Sequence, residues 1–253
     1  MPSPSHRAIA AIAGILLVCL PAGAFAQNLV VNGTTVTLGG TVTYGTVQVI
    51  NGGQINVAPF NGNAATTGML HIIADSILVD GTSTIYGRER GFRSTDGVGE
   101  GPGGGSGGPY AIDGGGGGAY GGDGGNGIRD YWQVRGCGIP WPDGEGGYAY
   151  GTSSGLDLEK GSAGGAGGSG DGDTGLGAGD GGAMVWLEAD TITVAGTINV
   201  RGGNGFNWQN DSGGGGAGGG ILIQGLTVSA TGTLTARGGN GASYDDGGGG
   251  GGG

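Results

Sequence analysis

Five aromatic residues crowd one non-repeating stretch, Ile128 to Lys160: Tyr131, Trp132, Trp141, Tyr148 and Tyr150. Acidic residues stand among them, and Pro140 and Pro142 flank Trp141. Aromatic faces beside carboxylates suit sugar rings and their hydroxyls, and flanking prolines restrict how far a ring's backbone moves. These five residues are the candidate carbohydrate-binding site. The competing role for the same rings is plain packing against the flank of the repeats. A second constellation is acidic: Asp171, Asp173 and Asp180 within GDGDTGLGAGD. Calcium takes several hard oxygen ligands from a pliable loop, so these three are a weak candidate metal site and Ca2+ is the one cofactor indicated. The pattern meets neither the EF-hand nor the glycine-rich calcium nonapeptide, and solvated carboxylates that keep glycine tracts soluble are the simpler account.

No catalytic residue is assigned. His71 is the only histidine besides His6, and it lacks a companion His or Cys for zinc; a core or cross-strand role is expected of it. GTSSGLD, from Gly151 to Asp157, is not a nucleophile elbow. GPGGGSGG lacks the Lys and Ser/Thr ending of a phosphate loop. A glycosidase needs two carboxylates at a fixed separation, and here Asp and Glu fall mainly in loops. The expectation is a protein that is not an enzyme.

The beginning of the chain reads as an export signal. Arg7 is followed by the apolar run AIAAIAGILLVCL, Pro21 breaks it, and Ala24-Phe25-Ala26 offers small residues to a signal peptidase. No second long apolar run follows, so no membrane span is expected in the mature chain. Cys137 would then be its only cysteine, without an intramolecular disulfide partner. The formal net charge of −11 disfavours nucleic acid and anionic membranes as partners.

Glycine supplies 73 of 253 residues, without the strict G-X-Y period of collagen. Glycine buries no side chain, so a thick globular core along the whole chain is excluded. Two textures alternate. One is short segments of Val, Ile and Thr with a two-residue alternation, such as TTVTLGGTVTYGTVQVINGGQINV, which reads as half-buried strands. The other is glycine tract. In GSAGGAGGSGDG, Gly161, Gly164, Gly167 and Gly170 recur every third residue, the turn of a polyproline II helix. Such helices could pack through weak Cα–H···O contacts, or the tract could be flexible loop.

Internal repeats tie the strands together. ADSILVDGTST (Ala74 to Thr84) aligns without a gap with ADTITVAGTIN (Ala189 to Asn199), and ILIQGLTVSATGTLTA from Ile221 is a weaker third copy. RGGNG at Arg201 to Gly205 returns at Arg237 to Gly241. A unit of strand, turn, strand and glycine loop closes its core only by stacking on the next copy. The expected fold is therefore all-β, a β-solenoid of parallel β-helix type with long glycine-rich loops, an antiparallel sandwich being the alternative. Ile77, Val79, Ile192, Val194, Leu226 and Val228 should share one core, with Asp75 and Asp190 at matching turns.

The unit ADTITVAGTINVRGGNG, then GGGGAGGGILIQ and TGTLTARGGNG, resembles glycine-rich repeat proteins of bacterial envelopes and secreted surfaces. The strand units are similar to those of parallel β-helix adhesins, and the tract Gly161 to Gly182 resembles the glycine-rich domains of mycobacterial surface proteins. The resemblance implies a fold class and a location and brings no catalytic residues. The expected organisation is a signal peptide (1–26), an N-terminal β-repeat region (27–96), a glycine-rich insert (97–182) with its aromatic segment (128–160), C-terminal β-repeats (183–246) and a polyglycine tail (247–253). The expected function is a secreted or cell-surface structural or adhesive protein that binds surface polysaccharide or other envelope components without cleaving them, with self-assembly open. The rival classes are a polysaccharide-acting enzyme and an ice-binding protein.

Overall fold

A computed structural model describes residues 27–95, 97–107, 114–128, 144–152, 157–168, 177–208, 211–243, 249 and 251–252. No helix occurs among them, so none is long and apolar enough to cross a membrane. Two parallel sheets carry the core. The larger contains β1 (Leu29–Asn32), β3 (Gly40–Thr43), β4 (Thr46–Ile50), β6 (Met69–Val79), β10 (Met184–Val194) and β14 (Ile221–Ala230). Its order is β1-β4-β6-β10-β14, with β3 also paired to β6. The smaller contains β2 (Thr35–Leu38), β5 (Gln54–Val57), β7 (Thr84–Tyr86), β11 (Thr197–Asn199) and β15 (Thr233–Thr235), in the order β15-β11-β7-β5-β2. Two small antiparallel pairs complete the strands among the described residues: β8 (Ser94–Thr95) with β9 (Val98–Gly99), and β12 (Asn207–Trp208) with β13 (Asp211–Ser212).

The repeats set the register. Ala189 lies opposite Ala74 and Ile192 opposite Ile77, as the gapless alignment requires. Like residues stack on like, giving the ladders Val31–Val49–Val79–Val194 in the larger sheet and Val36–Ile55–Ile85–Ile198 in the smaller. Both sheets feed one apolar core in which Ile55, Ile85, Val79 and Ile198 are fully buried. Each such side chain contributes roughly 1.5–3 kcal/mol relative to exposure.

The β-solenoid expected from the sequence is not what forms. The two sheets are separate and open at both ends, and among the described residues no further strand face closes them into a coil. The antiparallel sandwich also fails, because every pairing within the two large sheets is parallel. The physical reason lies in the linkers. After a strand pair such as β10 and β11 the chain enters glycine-rich segments, and their backbone groups bond to one another outside any strand ladder.

Those glycine segments form a hydrogen-bonded block. Gly179 N–H donates to Gly214 O, Gly214 to Gly165, Gly165 to Gly116, and Gly116 to Ser106, with N···O distances of 2.8–2.9 Å. Three residues along each segment a second file repeats this: Gly182 to Ala217, Ala217 to Ser162, Ser162 to Ala119 and Ala119 to Gly103. Within residues 114–119, Gly114 and Gly117 donate to 125–128, Gly115 and Gly118 to 212–215, and Gly116 and Ala119 to 103–106. Three successive residues thus face three different neighbours, the repeat of a polyproline II helix. The bonds are ordinary N–H···O bonds, not the weak Cα–H···O contacts anticipated from the tract.

Two core expectations need correction. Ile77, Val79, Ile192 and Val194 are buried, but Leu226 is 86% exposed and Val228 44%. Val228 does lie opposite Ile192, yet β14 is the last strand of its sheet and nothing covers its far side among the described residues. Leu226 sits between Gly225, opposite Ala189, and Thr227, opposite Thr191, so it belongs to the position of Asp190 and not to the core ladder. Asp75 and Asp190 are not at turns. They lie inside β6 and β10, where the alternation changes phase: Leu70 and Ile72 point inward before the aspartate, Ile77 and Val79 after it.

Candidate functional site

Two-residue alternation aims one side of the smaller sheet away from the core. On that side the register aligns two rows. Thr35, Gln54, Thr84, Thr197 and Thr233 form one, and Thr37, Asn56, Tyr86, Asn199 and Thr235 the other. All ten are exposed or half-buried. None is an acid or a base, and all offer a hydroxyl or an amide. Neighbouring strands repeat at about 4.8 Å and the rows lie roughly 6.6 Å apart, so the face is a shallow, regular array of short polar groups. Gln54 Nε2 donates to Asn56 Oδ1 at 2.6 Å, linking the rows on β5. Tyr86 brings an aromatic ring to the central strand, and the Arg90 guanidinium carbon lies 6.0 Å from that ring's centre.

The outer side of the larger sheet is different. His71 lies opposite Trp186, and the two rings stack at 3.9 Å and 10°. His71 Nε2 is 3.0 Å from Glu188 Oε2. The cross-strand role expected of His71 is the one it has. Beside this cluster a groove of about 370 Å³ is lined by Glu188, Asp190, Gln224 and Leu226 among others. A polysaccharide-acting enzyme, the rival class, would keep its carboxylate pair on such a strand face. Neither Trp186 nor Glu188 was singled out from the sequence. The signal was present: MLHIIADS aligned on MVWLEADT already places His71 over Trp186.

The five aromatics expected to bind sugar divide. Tyr131, Trp132 and Trp141 lie outside the described residues. Tyr148 is 79% exposed and lines a groove of about 250 Å³ with Asp123, Asn126 and Glu145. Tyr150 is a packing residue. Its hydroxyl donates to Lys160 O at 2.6 Å, its ring meets Tyr120 edge-on at 5.2 Å, and burial pushes its phenol well above the ordinary value. Tyr120 is pushed up by burial as well. Lys160, itself buried, pairs with Glu159 at 2.6 Å and packs its ammonium 4.8 Å from the centre of the Phe92 ring. The structure therefore assigns the end of the aromatic segment partly to covering the glycine block.

Of the candidate calcium ligands, Asp171 and Asp173 lie outside the described residues. Asp180 is described and is two-thirds buried by its side chain. Burial raises its carboxyl above the usual range, against a hydrogen bond from Ser94 N–H at 3.3 Å and the Arg93 guanidinium at 3.9 Å. No group of three or more His, Cys, Asp or Glu comes together among the described residues. Asp80 is the opposite case. It accepts from the Ser83 hydroxyl at 2.7 Å, from Asn51 N–H at 2.7 Å and from Thr82, and these bonds hold its carboxyl far below the usual range. It ties its own turn to the neighbouring Asn51–Gly52 turn.

No protein-family model, curated protein or solved structure matches this chain. The arrangement itself therefore carries the functional reading. It offers a flat hydroxyl and amide array on one sheet and an aromatic–carboxylate cluster on the other.

Proposed function

We propose that this is an exported, non-catalytic surface protein that binds a neutral polymer, a polysaccharide, through the outer face of the smaller sheet. The observation that supports it is the pair of in-register rows, ten hydroxyl- and amide-bearing side chains without an acid or base. Such a face pays no desolvation penalty for buried charge, and each strand adds a hydroxyl or an amide at the same spacing, which suits a repeating polymer. The acidic balance of the whole chain turns polyanions away.

The test is sedimentation of the protein with insoluble cellulose, chitin or cell-wall glycan. Thr84→Lys with Thr197→Lys should lower retention at least about tenfold, since each buries an unpaired charge in the contact, while the circular dichroism stays unchanged. Equal retention of the double variant and the parent would reject the face. Export is tested separately by mass spectrometry of the protein recovered outside the cell, where the first residue should be Gln27; a chain still starting at Met1 would contradict it.

Thr84, Thr197 and Thr233, in register on three neighbouring strands, also favour a second reading, adsorption to ice. Thermal hysteresis and crystal shaping by the parent, lost in the same double variant, would select it over the polysaccharide.

A further inference from the structure

A third groove lies at the edge of the glycine block, lined by none of the ten row residues of the smaller sheet. It has a volume of about 490 Å³ and is bounded by Arg88, Glu89, Asp180, Asn204 and Phe206, with Gly179, Gly203 and Gly205 among its walls. That volume is within the range of small-ligand sites. The walls are fixed by backbone: Gly203 N–H donates to Asp180 O at 2.7 Å, and Phe206 N–H to Gly177 O at 2.7 Å. Glycine walls leave open the space that side chains would otherwise take.

The polar groups are held and nearly balanced in charge. Arg88 Nη2 sits 2.7 Å from Glu89 Oε1, so this pair cancels. Asp180 is steadied by Ser94 N–H and faces Arg93. Asn204 Oδ1 accepts from Asn240 N–H at 3.0 Å, which orients the side chain, and an amide retains two N–H donors. Arg88 Nε is buried without a hydrogen-bond partner among the described residues. Phe206, 53% exposed, lines the same groove. An exposed ring beside a carboxylate and an amide matches a ligand with one apolar C–H face and vicinal hydroxyls. A charged ligand fits poorly, because the Arg88–Glu89 and Arg93–Asp180 pairs leave neither an unbalanced cation for an acid nor an unbalanced anion for a base.

We infer that this groove binds a neutral mono- or disaccharide, one sugar face resting on Phe206 and neighbouring hydroxyls bonded to Asp180 and Asn204. The inference shares the carbohydrate class of the proposed function but uses another surface, so each can fail without the other.

The test is isothermal titration of the full mature chain with cellobiose, maltose, lactose, diacetylchitobiose and galacturonate, each tried alone up to about 20 mM, a range that captures the weak affinity of small sugars. At least one neutral sugar should bind saturably. Phe206→Ala and Asp180→Asn should each weaken it by about tenfold or more, Phe206→Tyr should retain it, and Tyr148→Ala and the Thr84/Thr197 lysine variant should leave it unchanged. Circular dichroism checks that every variant is folded. The absence of saturable binding by all four neutral sugars, binding of galacturonate alone, or undiminished binding by a folded Phe206→Ala would each overturn the inference.

Discussion

The strand sheets and the glycine block solve the same problem with opposite materials. Both must bury backbone N–H and C=O groups without leaving them unpaired. The sheets do it with ladders and fill the space between them with Val, Ile and Leu. The block does it with bonds that radiate to three neighbours and fills the space with backbone and a few small Ala and Ser side chains. The sheets therefore depend on the identity of their side chains, and the block on most of its positions having none.

That contrast can be broken at chosen residues. The largest effect is expected for Ile192→Asp, which places an unpaired charge at a fully buried position and should abolish the cooperative unfolding transition, whereas Thr193→Asp, on the other side of the strand, should lower Tm only slightly. Ile192→Ala should cost about 2–5 kcal/mol by chemical denaturation.

The block should fail for a different reason. A Cβ at Gly165 would lie inside contact distance of Ser106 O, and one at Gly116 inside that of Glu145 O. Both obstacles are backbone and cannot rotate away. Gly165→Ala should thus destabilise by several kcal/mol, on the order of the larger core losses, although it adds one methyl and removes none. Gly81→Ala is the control, since the nearest atom to its Cβ would be Ala195 O at 3.9 Å, and it should be neutral. Equal Tm values for Gly165→Ala and Gly81→Ala would show that the tract is not packed as described.

Smaller effects come from two aspartates with opposite environments. Asp80 is held ionised by its turn, so its stabilising contribution is complete above the unfolded carboxylate value near pH 4 and is lost as the pH falls below it towards the depressed native value. Asp80→Ala should lower Tm by a few degrees at pH 7 and flatten the acid limb of the Tm profile. Asp180 has a raised carboxyl, so acidification through its native value towards pH 4 adds stability in the folded chain. Asp180→Asn should leave Tm at pH 7 unchanged or slightly higher. Calorimetry from pH 3 to 7 reads both signs.

Much of the sheet region was legible because side chains announce it. The repeat ADSILV/ADTITV gave the parallel register, and alternation gave the inward Ile77, Val79, Ile192 and Val194. The third copy misled because alternation cannot say which strand ends a sheet, nor where the phase slips at Asp75, Asp190 and Leu226. Closure into a solenoid was inferred from stacking alone, yet stacking fixes neighbours and not whether a further face exists. The block was half legible. Glycine every third residue in 161–170 pointed to a three-residue turn, but which segments bond to which depends on backbone geometry that glycine does not encode. The candidate sites were least legible. The rows of the smaller sheet arise between strands far apart in sequence, and Phe206 and Asp180 come to line one groove only through the fold of the block.

Hydrogen–deuterium exchange resolved to single amides tests the central claim, that the glycine block is as ordered as the sheets. The amides of Gly116, Gly165, Gly179 and Gly214, each bonded across to another segment, should be protected to within about tenfold of Val194 in the sheet, since both open only with the cooperative unit. Exchange of those four glycines at the rate of an unstructured peptide, with Val194 still protected, would contradict it.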